Sequence, residues 1–172
     1  MTAEILVLRL VHILGGIFWL GSGLFTALFL VPALARVGPA GAGPVMGALQ
    51  QRRLFTVLPI VAIATILSGV RLLHIASSGF APAYFGTGTG RTLLWSGIAA
   101  ILAFLLSLIV ARPAMVRATA LATSMATLSD AERGTRAAEV ERLRRRGANA
   151  TALAMLLLVA AASGMAVARY LN

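Results

Sequence analysis

Each of the two histidines in the chain stands three residues after an arginine, and these four side chains are the most suited to hold a ligand. The pairs are Arg9 with His12 and Arg71 with His74. Residues three apart share a face of a helix, so the guanidinium and the imidazole of each pair point the same way. Imidazole is a common ligand of haem iron and metal ions, and guanidinium suits a propionate or carboxylate. The spacing therefore predicts a haem or metal site with His12 and His74 as metal ligands.

The depth of each imidazole in a membrane limits how such a site is built. If the two arginines lie level at a membrane surface, His12 lies about 4.5 Å deeper and His74 about 4.5 Å shallower, at about 1.5 Å per residue. Met165, near the end of the last apolar stretch, lies about 6 Å deep on the same scale. His with Met is a known axial pair of haem, so Met165 is a candidate second ligand of His12.

A structural role is the alternative for each candidate ligand. His12 is otherwise expected to be a buried polar residue that bonds a helix carbonyl or Glu4. His74 is otherwise an ordinary interfacial residue, and Met165 otherwise fills a gap between helices. These alternatives stay open on the sequence alone.

Glu4 is the only acidic residue outside the segment 130–141. We expect it to pair with Arg9, Arg71 or the amino terminus, because no second carboxylate lies in the apolar stretches to relay a proton. This disfavours a proton pump or an ion-coupled transporter. Nucleophilic triads and paired carboxylates are absent too, so the sequence predicts no catalytic residue and leaves open whether the protein is an enzyme.

The elements that position these residues are long apolar helices. The chain has 172 residues, is 59% hydrophobic, has a mean hydropathy of +0.92 and contains no Cys. A soluble domain of this size cannot bury so much apolar surface, and four charge-free stretches have the length needed to cross a bilayer. We predict an all-α integral membrane protein with a single transmembrane domain, 1–172. The predicted spanning helices are about 5–32, 54–76, 92–112 and 148–170.

The positive charges predict the orientation. The net charge is +10, and every positive side chain is Arg. Eleven arginines lie in the connections between the first and second and between the third and fourth apolar stretches. They are Arg36, Arg52, Arg53, Arg112, Arg117, Arg133, Arg136, Arg142, Arg144, Arg145 and Arg146. By the positive-inside rule both connections face the cytoplasm and both termini face the periplasm of a bacterial inner membrane, and nucleic acid is not the expected partner.

A rough internal repeat predicts the topology. Pro32 is followed four residues later by Arg36, and Pro113 likewise by Arg117, and a Ser-Gly pair lies near the end of the second apolar run of each copy. Since each copy returns to the side where it began, the sequence predicts two tandem hairpins packed in one four-helix bundle.

The two basic connections differ in their predicted structure. Val37 to Gln51 is rich in Gly, Pro and Ala, which predicts an irregular turn. Ser129 and Glu132 form a capping box before a helix over about 130–146, which extends the fourth span into the cytoplasm. At its end, Arg144, Arg145 and Arg146 would lie at the level of lipid phosphates, so anionic lipids are expected partners.

Small residues recur at four-residue spacing on two of the apolar stretches. Ala160, Gly164 and Ala168 form one line, and Gly15 and Gly23 flank a tryptophan on another. Such lines predict close packing of helices. A notch that admits a flat cofactor or a lipid is the alternative.

The residues around His12 carry a family resemblance. The run from Arg9 to Ile13, the later Phe18 to Gly21, Pro32 and the pair Ser68-Gly69 resemble the first hairpin of the bacterial copper-resistance protein D superfamily, which includes the HemJ-type protoporphyrinogen oxidases. The resemblance covers about the first 75 residues. It implies a small helical bundle with a histidine in the first helix, linked to haem or porphyrin chemistry in one branch and to copper in another.

Carried over by position, the resemblance implies that His12 and, less directly, His74 are binding residues. The chain departs from the family in having no Lys and no Cys-containing or Met-rich outer segment. The leading hypothesis is an inner-membrane protein that binds b-type haem or copper on the outer half of its bundle, with a chain free of cofactor as the equal alternative. The rival hypothesis is a noncatalytic structural or assembly subunit of a respiratory or photosynthetic complex, or a homo-oligomer.

Overall fold

The protein is almost entirely helical in the part described by the computed structural model. The description covers residues 2–124 and 130–171, without the side chains of 39, 40, 130–133 and 135. Seven α-helices follow one another in these described residues. They are α1 (Ala3–Phe25), α2 (Val31–Gln51), α3 (Leu54–Ala76), α4 (Pro82–Phe85), α5 (Gly88–Leu106), α6 (Arg112–Ser124) and α7 (Asp130–Val167). A short 3-10 turn, Ala168–Tyr170, ends the last helix.

Four helical stretches in the described residues are long and apolar enough to cross a membrane. They are Ala3–Gly38, Leu54–Ala76, Gly88–Ser124 and Arg136–Tyr170. Large apolar side chains are exposed along them; Leu14, Ile17 and Phe29 on the first stretch are each more than 60% exposed. Hydrocarbon around the helices is the environment in which such surfaces are stable, so the chain is a multi-pass membrane protein.

The contacts divide the chain into two compact units. The first comprises residues 1–101 and 158–172, and the second comprises residues 102–157. In the first unit α1 packs along α3, and Gly164 of α7 meets Ser96 of α5. In the second, Ala118, Val140 and Leu143 form a small core against which Leu121 and Ala122 pack.

Two π-helical turns interrupt the long helices, and each precedes a proline by the same distance. Thr26–Leu30 joins α1 to α2 just before Val31 and Pro32, and Ser107–Ala111 joins α5 to α6 just before Arg112 and Pro113. In each turn the residue before the proline bonds the carbonyl five residues back rather than four. Proline has no N–H and crowds the carbonyl of residue i−4, so the wider turn lets the helix continue.

Residues 31–51 are helical, which differs from the irregular turn expected for Val37 to Gln51. The segment has a kink at Gly38, the only residue in it that leaves helical geometry, at φ 70° and ψ −177°. The turn between α2 and α3 is confined to Arg52 and Arg53, and Arg53 adopts a left-handed φ of 58°.

Helix α7 runs without interruption through Gly147, so residues 130–146 and the last apolar stretch form one helix. Continuity is possible because glycine weakens a helix interior by only about 1 kcal/mol, and Met115 packs where a Cβ on Gly147 would stand. The predicted capping box lies outside the described residues, since Ser129 and the side chain of Glu132 are not among them.

Gly38 and Gly43 form a matched pair for testing backbone geometry, because a Cβ on either one meets no atom within 4 Å. We expect Gly38→Ala to destabilise the protein by about 1 to 3 kcal/mol, since its φ and ψ suit glycine alone. Gly43 lies in regular helix, so Gly43→Ala should stabilise it by about 0.5 to 1 kcal/mol. Unfolding in detergent measures both, and a loss of stability in both variants would contradict this account.

Candidate functional site

A close contact between α1 and α3 places the histidine of the first helix. A Cβ on Gly15 would collide with the hydroxyl of Thr65, so glycine lets the two backbones approach. Thr65 is 6% exposed, and its hydroxyl donates to the Val61 carbonyl oxygen at 2.8 Å. The helices run antiparallel, since Glu4 meets Arg71 at one end while Gly15 meets Thr65 further along.

The half-buried imidazole of His12 lies against α3. Its Nδ1 is 2.8 Å from the Thr65 carbonyl oxygen, and a Cβ on Gly69 would stand 2.6 Å from its Cε1. Gly69 therefore leaves the space that the ring occupies. Ser68 is buried beside it, and its hydroxyl donates to the carbonyl oxygens of Ala64 at 2.7 Å and Thr65 at 3.0 Å.

The hydrogen bond fixes the proton of the neutral His12 ring. A carbonyl oxygen only accepts, so Nδ1 carries the proton and Nε2 carries the lone pair. Nε2 makes no hydrogen bond to any described residue. It is also not fully buried, since every fully buried side-chain nitrogen or oxygen among the described residues has a hydrogen-bond partner. A carbonyl that holds the far ring N–H is the usual support of a metal-binding histidine.

His74 is held in the opposite way. The Nη1 of Arg71 is 3.3 Å from Nδ1 of His74, and because guanidinium only donates, this Nδ1 is the acceptor. The lone pair is thus already engaged. The ring also meets Phe80 edge to face, with centroids 5.1 Å apart.

Glu4 pairs with Arg71, which confirms one of the three partners expected for it. The Nε and Nη2 atoms of Arg71 lie 2.8 and 2.7 Å from Oε1 of Glu4. Both side chains are about half exposed, so the pair contributes at most about 1 kcal/mol. Its main effect is to hold the guanidinium that faces His74.

The structure does not bring the two imidazoles to one level. His12 contacts Thr65 and Gly69, whereas His74 lies nine and five residues further along α3, which is about 7 to 13 Å of rise. This agrees with the offset expected from their spacing to the arginines. Arg71 and His74 therefore lie together, and His12 lies deeper along the helix pair.

The remaining predicted residues lie apart from the His12 contact. Arg9 is exposed one turn before His12 on α1. Met165 follows Gly164 on α7 and is half exposed, and no hydrogen bond or ring contact between described residues joins it to His12. No group of three or more His, Cys, Asp or Glu side chains that suits a metal ion is present among the described residues.

Sequence reasoning missed Thr65 as the residue that supports His12, and it gave Gly69 only a motif role. The Ser68-Gly69 pair was the available signal, because a glycine within an apolar helix leaves room for a side chain of a neighbouring helix. What the sequence lacks is the register between α1 and α3, which decides that Gly69 rather than another small residue faces His12.

Comparison with known proteins gives no relative from which a role is transferable. No protein-family model, no curated protein and no solved structure matches the chain.

Proposed function

We propose that this membrane protein binds b-type haem through Nε2 of His12. The observation that carries the proposal is the hydrogen bond from Nδ1 of His12 to the Thr65 carbonyl, which leaves Nε2 with an accessible lone pair. The resemblance of the first 75 residues to the copper-resistance protein D superfamily, with a histidine in the first helix, agrees with this role.

The donor set favours haem over a bare copper ion. A porphyrin supplies four nitrogens and needs as few as one histidine from the protein, whereas a copper ion needs several protein ligands. His12 meets the first requirement, and the described residues offer no cluster for the second. Arg9, one turn away on the same side of α1, would pair with a propionate. A haem bound there would supply one-electron transfer.

The proposed setting is a bacterial inner membrane with both termini in the periplasm. The four spans would form two tandem hairpins of one bundle, so that His12 lies in the periplasmic half and residues 130–146 extend α7 into the cytoplasm. The exposed Arg144, Arg145 and Arg146 would then meet anionic lipids. Arg145 is partly neutralised by Glu141 at 2.8 Å, so Arg144 and Arg146 would carry most of that attraction.

The experiment that tests the function is an absorption spectrum of the full chain, purified in mild detergent after expression with a haem precursor and after addition of haemin. We expect a Soret band and about one iron per chain by elemental analysis. Absence of a Soret band under both conditions would overturn haem binding. One copper ion per chain without haem would instead indicate copper binding, the function of the other branch of the resembled superfamily.

A second candidate is a noncatalytic subunit of a larger membrane complex. The specific observation that favours it is that α1 contains no buried residue, although it is the helix that carries His12. A partner helix seated on α1 would cover an apolar surface that lipid otherwise covers. Purification at low detergent should then yield the chain at fixed stoichiometry with its partners, and a chain that purifies alone at full stability contradicts this role.

A further inference from the structure

A groove on the first compact unit lies between α5 and α7, away from His12. Its volume is about 440 Å³, which falls in the range of small-molecule sites, and it is open rather than enclosed. Arg91, Thr92 and Trp95 line it on α5, and the small side chain of Ala161 lines it on α7.

A buried hydroxyl that makes no hydrogen bond to a described residue lines this groove. Ser96 is 6% exposed, and its oxygen lies where a Cβ on Gly164 would stand. Helix hydroxyls elsewhere in the protein bond the carbonyl four residues back, as in Thr65, Ser107 and Thr151. Ser96 makes no hydrogen bond to any group that the structure describes, yet its oxygen is not fully buried. A buried hydroxyl of this kind is satisfied by a ligand that brings a polar atom into the groove.

Polarity falls along the groove from one end to the other. Arg91 is exposed near the start of α5 and forms no ion pair with a described residue. Trp95 is 66% exposed, as expected for a side chain at a membrane interface. Ala99 lies eight residues after Arg91, about 12 Å deeper at about 1.5 Å per residue. A cation, two hydroxyls and an apolar floor thus follow one another toward the centre of the bilayer.

We propose that this groove binds one anionic phospholipid. The phosphate pairs with the guanidinium of Arg91, an ester carbonyl of the glycerol backbone accepts from Ser96 or Thr92, and an acyl chain lies over Ala99 and Ala161. Guanidinium is the preferred partner of phosphate, and basic pockets between membrane helices bind anionic headgroups in this way. A zwitterionic headgroup is disfavoured, because its own cation would lie beside Arg91.

The proposal is independent of haem, because the groove residues lie on α5 and α7 whereas His12, Thr65 and Gly69 lie on α1 and α3. It is also distinct from attraction of lipids to the exposed arginines at 144–146, which lie in the second unit. A lipid bound in the groove would pack against both α5 and α7 and so stabilise their pairing.

The test uses the full chain in nanodiscs that contain phosphatidylglycerol and phosphatidylcholine in equal amounts, followed by release into the gas phase and native mass spectrometry. We expect wild type to retain one phosphatidylglycerol in preference to phosphatidylcholine. Arg91→Gln should reduce that preference about tenfold, because a charge-assisted hydrogen bond is lost. Ser96→Ala should weaken retention of both lipids with the preference between them unchanged.

Arg117→Gln is the matched control, since it removes one exposed positive charge from α6, outside the groove. It should leave lipid retention as in wild type. Equal retention of both lipids by wild type, or the same loss of preference in Arg91→Gln and Arg117→Gln, would overturn the proposal. Circular dichroism of each variant verifies that the helices are intact, and thermal unfolding with added phosphatidylglycerol gives a second measure if Arg91→Gln expresses poorly.

Discussion

His12→Ala is expected to abolish the Soret band of the purified protein and to weaken haem binding by at least about 100-fold, because the variant removes the only imidazole whose lone pair is accessible. His74→Ala is the matched control. Its Nδ1 is engaged by Arg71, so the variant should retain haem at wild-type stoichiometry. Titration of each variant with haemin, followed at the Soret wavelength, measures the dissociation constants.

Gly69→Ala adds a test of how His12 is positioned. The new Cβ would stand 2.6 Å from Cε1 and 3.0 Å from Nδ1, so the ring must move and its bond to the Thr65 carbonyl must lengthen. We expect about tenfold weaker binding with the Soret maximum shifted, as for loss of a ligand's supporting partner. Haem retained by His12→Ala but lost from His74→Ala would reverse the assignment of the two histidines.

Gly15→Ala is expected to destabilise the α1–α3 pair by about 1 to 3 kcal/mol, because its Cβ would overlap the Thr65 hydroxyl and push the helices apart. Thr65→Ala in the same chain should restore most of the stability. The hydroxyl makes only a bond within its own helix, and the carbonyl that holds His12 belongs to the backbone and remains.

Gly16→Ala is the control for helix propensity, since the atom nearest to its Cβ is at 3.8 Å. Unfolding of the three variants in mixed detergent micelles, followed by circular dichroism, provides the comparison. A double variant as unstable as Gly15→Ala would show that the overlap with Thr65 is not the cause, and equal effects at Gly15 and Gly16 would show that the position does not matter.

The sequence predicted the helices through charge and length. Helix α3 covers Leu54–Ala76, the bounds predicted for the second span, although its last six residues include Arg71 and His74. Composition failed at 37–51, where Gly and Pro predicted an irregular turn and the chain is helical instead. An isolated glycine lowers helix stability only modestly, and of these residues only Gly38 breaks the helical geometry.

The site was predictable in part for a related reason. Spacing along one helix placed Arg71 with His74, and charge placed Glu4 with an arginine. The choice of Thr65 as the partner of His12 depends on how far one helix slides along the other, and that distance follows from the packing of Gly15 and Gly69. The pattern of residues within one helix does not determine this distance. The hydrogen bond between His12 and the Thr65 carbonyl is therefore set by helix packing rather than by spacing along one helix.

The widened turns at Thr26–Leu30 and Ser107–Ala111 change which stripe of each helix meets its surroundings. One additional residue per turn advances the helical phase by about 100°, so a side chain four positions beyond the turn does not continue the stripe that precedes it. A scan of label accessibility along residues 3–38 should consequently show one periodic profile up to Phe25 and a second, displaced by a residue, after Leu30. Any substitution pattern extrapolated across that boundary on a fixed 3.6-residue repeat will assign the wrong face.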